Sequence, residues 1–146
     1  DRLYRSTKTE LSTNLKLNVR IAHLKLFPGM QFDLYSGIFD IEKVDGIVLE
    51  TFGAGNASSS PEFKKYLKKF LDAGGVVLNI TQCSSGSVRQ GLYKSSSLFN
   101  ELGVIGGADM TPEAAITKMM VVMGGENTGD AKEILSKSLR GELTLY

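Results

Sequence analysis

The chain is short of the side chains that most catalytic and metal chemistry requires: its 146 residues include one histidine, His23, and one cysteine, Cys83. A single cysteine cannot close an internal disulfide, which fits a reducing compartment. One imidazole and one thiol do not make a metal site, which needs several clustered ligands, so neither a metal nor a cofactor is expected. His23 falls in the middle of an apolar run, where a hydrogen-bonded structural role is the expectation. With His23 so placed, no Ser/His/Asp or Cys/His constellation can be assembled at strand ends. No apolar run approaches the roughly 18 residues of a membrane span. The opening Asp1-Arg2-Leu3-Tyr4-Arg5 is polar and leads into no signal-peptide core. Because Asp1 stands where a methionine would begin a gene product, the expectation is a piece of a longer chain. Charge is balanced as well: 17 basic residues against 16 acidic ones leave a net +1. Such a chain has no general field to attract nucleic acid or an acidic membrane.

What is there is an ordinary globular composition, 42% apolar and 23% charged, sized for one domain. Residues 1–18 are polar and aperiodic and read as a linker or the remnant of a preceding domain; residues 19–146 read as one α/β domain. Val19 to Phe27 is apolar on both alternating faces and stops at Pro28-Gly29, predicting a strand covered on both sides. A short helix is expected over about Phe32 to Phe39. Gly46-Ile47-Val48-Leu49 is the second strand and Val76-Val77-Leu78-Asn79-Ile80 the third, with a smaller fourth at Val104-Ile105. Between the second and third lies the clearest helix. Ser60 is placed to cap it, Pro61 takes the first turn, Phe63, Tyr66, Leu67, Phe70 and Leu71 form one stripe, and Gly74-Gly75 ends it. Lys64, Lys65, Lys68 and Lys69 take the opposite, solvated face. A further short helix is expected around Ser96 to Leu102. Thr111-Pro112-Glu113 repeats the cap-and-proline signal ahead of a helix whose Ile116, Met119, Met120 and Met123 read as core. Thr128 caps a last helix that turns Ile134, Leu135 and Leu139 inward. Strands alternating with helices predict an open, mostly parallel four-stranded sheet with helices on both faces, a Rossmann-like three-layer α/β fold.

Open parallel sheets bind ligands beyond the carboxyl ends of their strands. Thr51 to Asn56, Thr81 to Ser87 and Gly106 to Pro112 should meet there. Their glycines permit close backbone approach, and their hydroxyls and amides supply hydrogen bonds without fixed charge, which suits a small polar ligand. Composition alone leaves open whether these residues do more than make turns. Gly53-Ala54-Gly55 does not complete a dinucleotide fingerprint: Ser58 holds the third glycine's position, and no carboxylate follows the third strand. There is no Gly-Lys-Ser/Thr phosphate loop. Cys83 lies at a strand tip but lacks a visible base, and Asp109, just before a helix, is read as a capping or turn residue.

Several stretches resemble the C-terminal domain of type I (cytoplasmic) L-asparaginases. They are Val77-Leu78-Asn79-Ile80-Thr81-Gln82-Cys83, then Gly86, and Gly103 through Ala114. Gly53-Ala54-Gly55-Asn56-Ala57 is similar to that family's Gly-x-Gly-Asn-Ala loop, Leu139 through Thr144 to its closing segment, and Asp1 through Arg5 to the end of its N-terminal domain. The resemblance implies a cytoplasmic enzyme that hydrolyses L-asparagine to aspartate and ammonia and assembles as a homodimer or tetramer. The family's threonine nucleophile and Thr-Asp-Lys group belong to an N-terminal domain, so no catalytic residue is assigned in this chain, which alone is expected to be inactive. Asn56 is similar to the asparagine that reaches a neighbouring subunit's active site. Thr81, Gln82, Cys83 and Pro112, with Glu50, correspond to an effector site that binds asparagine allosterically in some members. Glu50 stands where the bacterial pattern has arginine. A guanidinium there would clamp a carboxylate, whereas a glutamate repels one and suits the ligand's ammonium group. The passage from Arg5 to the first strand is also shorter than the family's. Two other readings fit the same loops: a non-catalytic amino-acid-sensing domain, and the asparaginase-like component of a tRNA-dependent amidotransferase. The second draws little support from the near-neutral charge.

Overall fold

A computed structural model describes residues 10, 13, 16–57, 60–88, 94–125 and 130–144. Most of the linker expected over residues 1–18 falls outside these, as does Thr128. Four strands, β1 (Ile21–Lys25), β2 (Gly46–Thr51), β3 (Val76–Thr81) and β4 (Ile105–Gly106), form one sheet in the order β1-β2-β3-β4. All three neighbouring pairs are parallel. Three crossovers that step the same way across a parallel sheet, each right-handed, must pile their connections on one face. They do so. A 3-10 helix (Phe32–Phe39), α1 (Pro61–Asp72) and α2 (Lys94–Leu102) pack with Leu24, Ile47, Leu49 and Val77. The chain returns over the other face as α3 (Pro112–Gly124) and α4 (Ala131–Leu135), packing on Val48, Val76, Leu78 and Ile80. Alternate residues of β2 and β3 therefore serve opposite layers, as a two-residue side-chain period requires.

The long helices obey their caps. Ser60 Oγ accepts the Phe63 N–H at 3.3 Å and Thr111 Oγ1 accepts that of Ala114 at 3.3 Å, each ahead of a first-turn proline. The α1 stripe buries Phe63, which stacks on Phe32 at 4.6 Å and meets Phe39 and Phe99 edge-on, while the four lysines are exposed as expected. Met119 is fully buried in the second layer, the core role expected of it.

Two expectations need correction. The first strand is shorter than Val19 to Phe27 and only partly covered: Ala22 and Leu24 pack on the α1 layer and Ile21 on the α3 layer. As the edge strand it has one neighbour; Leu24 is buried, but His23, Lys25, Val19 and Phe27 are exposed. The short helix expected over Phe32 to Phe39 is present with those bounds, wound as a 3-10 helix. Finally, the last helix is capped by Asp130, whose carboxylate accepts the Lys132 N–H at 2.9 Å, and it ends at Leu135, so Leu139 is not helical.

Beyond α4 a carboxylate, Glu142, holds the start of the closing segment. Glu142 accepts the N–H groups of Leu139 at 3.0 Å and Arg140 at 2.6 Å, and pairs with Lys118 of α3 at 2.7 Å. Lys118 is itself buried and donates to the Lys137 carbonyl at 2.5 Å. Burial pushes the Glu142 carboxyl up, but the Lys118 ammonium and the two backbone donors more than reverse this, leaving it at about 2. An acid depressed in the fold adds stability that is present above its ordinary value and disappears as pH falls towards the depressed one. Stability should therefore decline from about pH 4.5 downward. Glu142→Gln should be less stable than the parent at neutral pH and should lose part of this decline, as measured by thermal unfolding across pH.

Candidate functional site at the carboxyl rim of the sheet

Because all strands are parallel, the loops after β1, β2, β3 and β4 leave at the same rim. The loop after β2 closes at once: Phe52 and Asn56 exchange backbone hydrogen bonds at 2.8 Å in both directions. That tight return requires Gly55, with φ +107°, where a Cβ would sit 3.1 Å from Val88 Cγ1 and 3.3 Å from Asn79 Nδ2. The loop after β3 is tied to the β4–α3 loop by the Val88 N–H, which donates to the Ala108 carbonyl at 2.9 Å. Ala108 adopts φ +51°, a left-handed conformation that a non-glycine residue takes only under constraint.

These loops enclose a cavity of about 810 Å³, lined by Lys25, Glu50, Ala54, the continuous stretch Thr81 to Ser87, and Asp109 to Pro112. The volume suits a small molecule. Glu50, Thr81, Gln82, Cys83 and Pro112 are thus brought together in one wall, and the Cys83 residue is exposed to it. Asn56 shares the rim but does not line the cavity.

Most of these polar residues build the frame. The Gln82 side-chain amide donates to the Leu26 carbonyl at 2.6 Å and the Glu50 carbonyl at 2.9 Å, stapling the ends of β1 and β2 to the loop after β3. Thr81 Oγ1 donates to the Gly53 carbonyl at 2.7 Å and accepts the Cys83 N–H at 3.1 Å. Thr51 Oγ1 donates to Asn79 Oδ1 at 2.7 Å inside the sheet. Asp109 does not cap α3, which is the work of Thr111; its carboxylate instead holds Thr144 through the amide at 2.7 Å and the hydroxyl at 2.6 Å. Burial pushes the Asp109 carboxyl up, but those two donors outweigh it and hold it below the ordinary range.

The charged centre of the wall is Glu50, only 4% exposed. The parallel register sets Lys25 beside Glu50 and His23 beside Val48, so the alternation of side chains puts His23, Lys25 and Glu50 on the α3 face. His23 Nε2 lies 2.6 Å from one Glu50 oxygen and Lys25 Nζ 3.2 Å from the other. His23 is thus hydrogen-bonded to Glu50, as a structural role for it would require. Lys25 was invisible to sequence reasoning. The signal existed in the i, i+2 spacing of His23 and Lys25, but it becomes a site only once the register with β2 is known.

Comparison with known proteins establishes the family. Residues 20–135 match the model of the glutaminase/asparaginase C-terminal domain. L-asparaginase 1 of Escherichia coli (strain K12) is 38% identical over 125 residues, covering 85% of this chain and 37% of that protein. The 60 kDa lysophospholipase of Mus musculus is 34% identical over 140 residues, 94% of this chain and 24% of its own length. One component of the glutamyl-tRNA(Gln) amidotransferase of Sulfolobus acidocaldarius is 33% identical over 141 residues, covering 96% of this chain and 31% of that polypeptide. The crystal structure of L-asparaginase I from Vibrio cholerae superposes with a TM-score of 0.76 at 34% identity, covering 86% of this chain and 38% of that one. The chain belongs to the glutaminase/asparaginase C-terminal domain family. It spans less than two fifths of the length of each of these relatives.

Gln82→Ala takes the side-chain donor from the Leu26 carbonyl and leaves the Glu50 carbonyl only the Leu26 N–H, and it should cost about 1–3 kcal/mol. Urea denaturation of the variant beside the parent measures this directly.

Proposed function

We propose that this chain is the C-terminal domain of an L-asparaginase-type amidohydrolase, and that its rim cavity holds an amino acid as an effector. The reaction of such an enzyme adds water to the side-chain amide of L-asparagine and releases L-aspartate and ammonia. Here the 146 residues supply a supporting domain of that enzyme, with a threonine nucleophile carried by an N-terminal partner domain. The assembled protein is a cytoplasmic homodimer or tetramer, and Asn56, on the tight turn after β2, completes a neighbouring active site from this rim. No helix among the described residues is long and apolar enough to cross a membrane.

The observation that carries the effector reading is the cavity itself. A buried carboxylate, an adjacent ammonium, and a loop rich in hydroxyl and amide groups converge there, at the end of a parallel sheet where ligands characteristically bind. Glu50 in place of an arginine changes which end of the ligand this wall attracts. A carboxylate at 50 takes the amino group of an amino acid and leaves its carboxylate to another residue.

A second reading, the asparaginase-like component of a tRNA-dependent amidotransferase, is favoured by the Sulfolobus relative, whose match covers 96% of this chain. The balanced charge of 17 basic and 16 acidic residues weighs against tRNA contact through this domain. A sensory domain without any catalytic partner would share the cavity.

Isothermal titration calorimetry of the chain with L-asparagine, L-aspartate and L-glutamine should show saturable binding of L-asparagine, with no ammonia released from it. Absence of binding by all three removes the effector role and leaves only the interfacial one for Asn56; turnover by the chain alone contradicts the assignment of the nucleophile to a partner domain.

A further inference from the structure

Glu50 has two partners, of which Lys25 is the fixed charge and His23 the second hydrogen-bonding group. Glu50 is buried, and a buried carboxylate stripped of every partner is strongly unfavourable. Its partners, His23 at 2.6 Å and Lys25 at 3.2 Å, are on separate oxygens. The two are unlike. The His23 contact is short, and 36% of its side chain is exposed; the Lys25 side chain is 61% exposed, reaches Glu50 on a flexible stem, and lines the cavity. The exposed lysine end of the pair is the one that another ammonium group can replace without uncovering the carboxylate. If Lys25 leaves, His23 keeps Glu50 hydrogen-bonded.

Resting on the effector reading above, we infer that the Lys25–Glu50 pair is a latch selecting zwitterionic α-amino acids. The ligand's ammonium group replaces Lys25 at the Glu50 carboxylate, and its α-carboxylate takes the released Lys25 ammonium. Both protein charges are paired before and after, so the exchange leaves no buried charge uncompensated. A molecule carrying only one of the two ligand charges cannot make the exchange. A lone carboxylate meets Glu50 as a like charge across a shared lysine. A lone amine displaces Lys25 and offers it nothing in return. Neither Gln82 nor Thr81 can do this work, because the Gln82 amide hydrogens and the Thr81 hydroxyl are committed to loop carbonyls. Lys25 is thereby the specificity-determining residue of the pocket, compensating on β1 for the absence of an arginine at position 50.

The test is calorimetry of the chain with three probes: L-asparagine, succinamic acid, which lacks its amino group, and 3-aminopropanamide, which lacks its carboxylate. The parent should bind each truncated probe at least about tenfold more weakly than asparagine. Lys25→Met, at an exposed position that does not threaten folding, should lower asparagine affinity by about tenfold without weakening 3-aminopropanamide, and Lys25→Arg should restore most of the loss. Asparagine affinity in Lys25→Met within about twofold of the parent overturns the latch while the effector pocket stands. Failure of the parent to bind asparagine at all overturns both.

Discussion

A buried carboxylate must be neutralised, and the rim of this sheet is arranged around that requirement. Glu50 lies at the end of β2 on the α3 face, only 4% exposed, with His23 and Lys25 of the neighbouring strand against its two oxygens. Parallel register is what makes this possible. Lys25 pairs with Glu50 and His23 with Val48, so two successive outward positions of β1 fall beside one carboxylate of β2. Remove the register and the histidine becomes an isolated edge residue. The one imidazole of the chain is therefore placed against this carboxylate by the strand register.

The rest of the rim keeps that centre in place. The Gln82 amide ties the ends of β1 and β2 to the loop after β3, Thr81 ties that loop to Gly53, and the Val88 N–H ties it to Ala108 before α3. Asp109 and Glu142 then fix the closing segment, one through Thr144 and the other through Lys118 and two backbone amides. Every connection from Gln82, Thr81 and Val88 runs between loops that leave the sheet at the same edge. A cavity of about 810 Å³ lies among them, with the Thr81 and Gln82 side chains turned towards carbonyls. Family membership fits such a scaffold, since the relatives bear names for quite different reactions while sharing this domain.

Much of this was legible in the residue order. The continuous apolar runs of β2 and β3 and the Ser60-Pro61 and Thr111-Pro112 starts of α1 and α3 mark buried strands and capped helices by mechanisms that act locally. The convergence of the loops after β2, β3 and β4 follows from parallel topology alone. Edge status is different: whether Val19 to Phe27 is covered depends on strand order, which no local pattern carries, and Lys25 was missed with it. The same limit applies to Thr81 and Gln82. Their types announce hydrogen bonding, but not that the partners are backbone carbonyls of other loops. Asp109 was read from its distance to a helix start, whereas its partner, Thr144, lies 35 residues away.

The claim on which the functional account rests is that a small amino acid enters this rim and nowhere else. Amide-resolved NMR of the chain during titration with L-asparagine examines it most directly. Shifts should concentrate at Lys25, Glu50, residues 82–88 and residues 109–114, and be negligible at Lys43, Val44 and Asp45, which precede β2 at the opposite rim. Changes centred on that opposite rim, or a spectrum indifferent to asparagine, would contradict it.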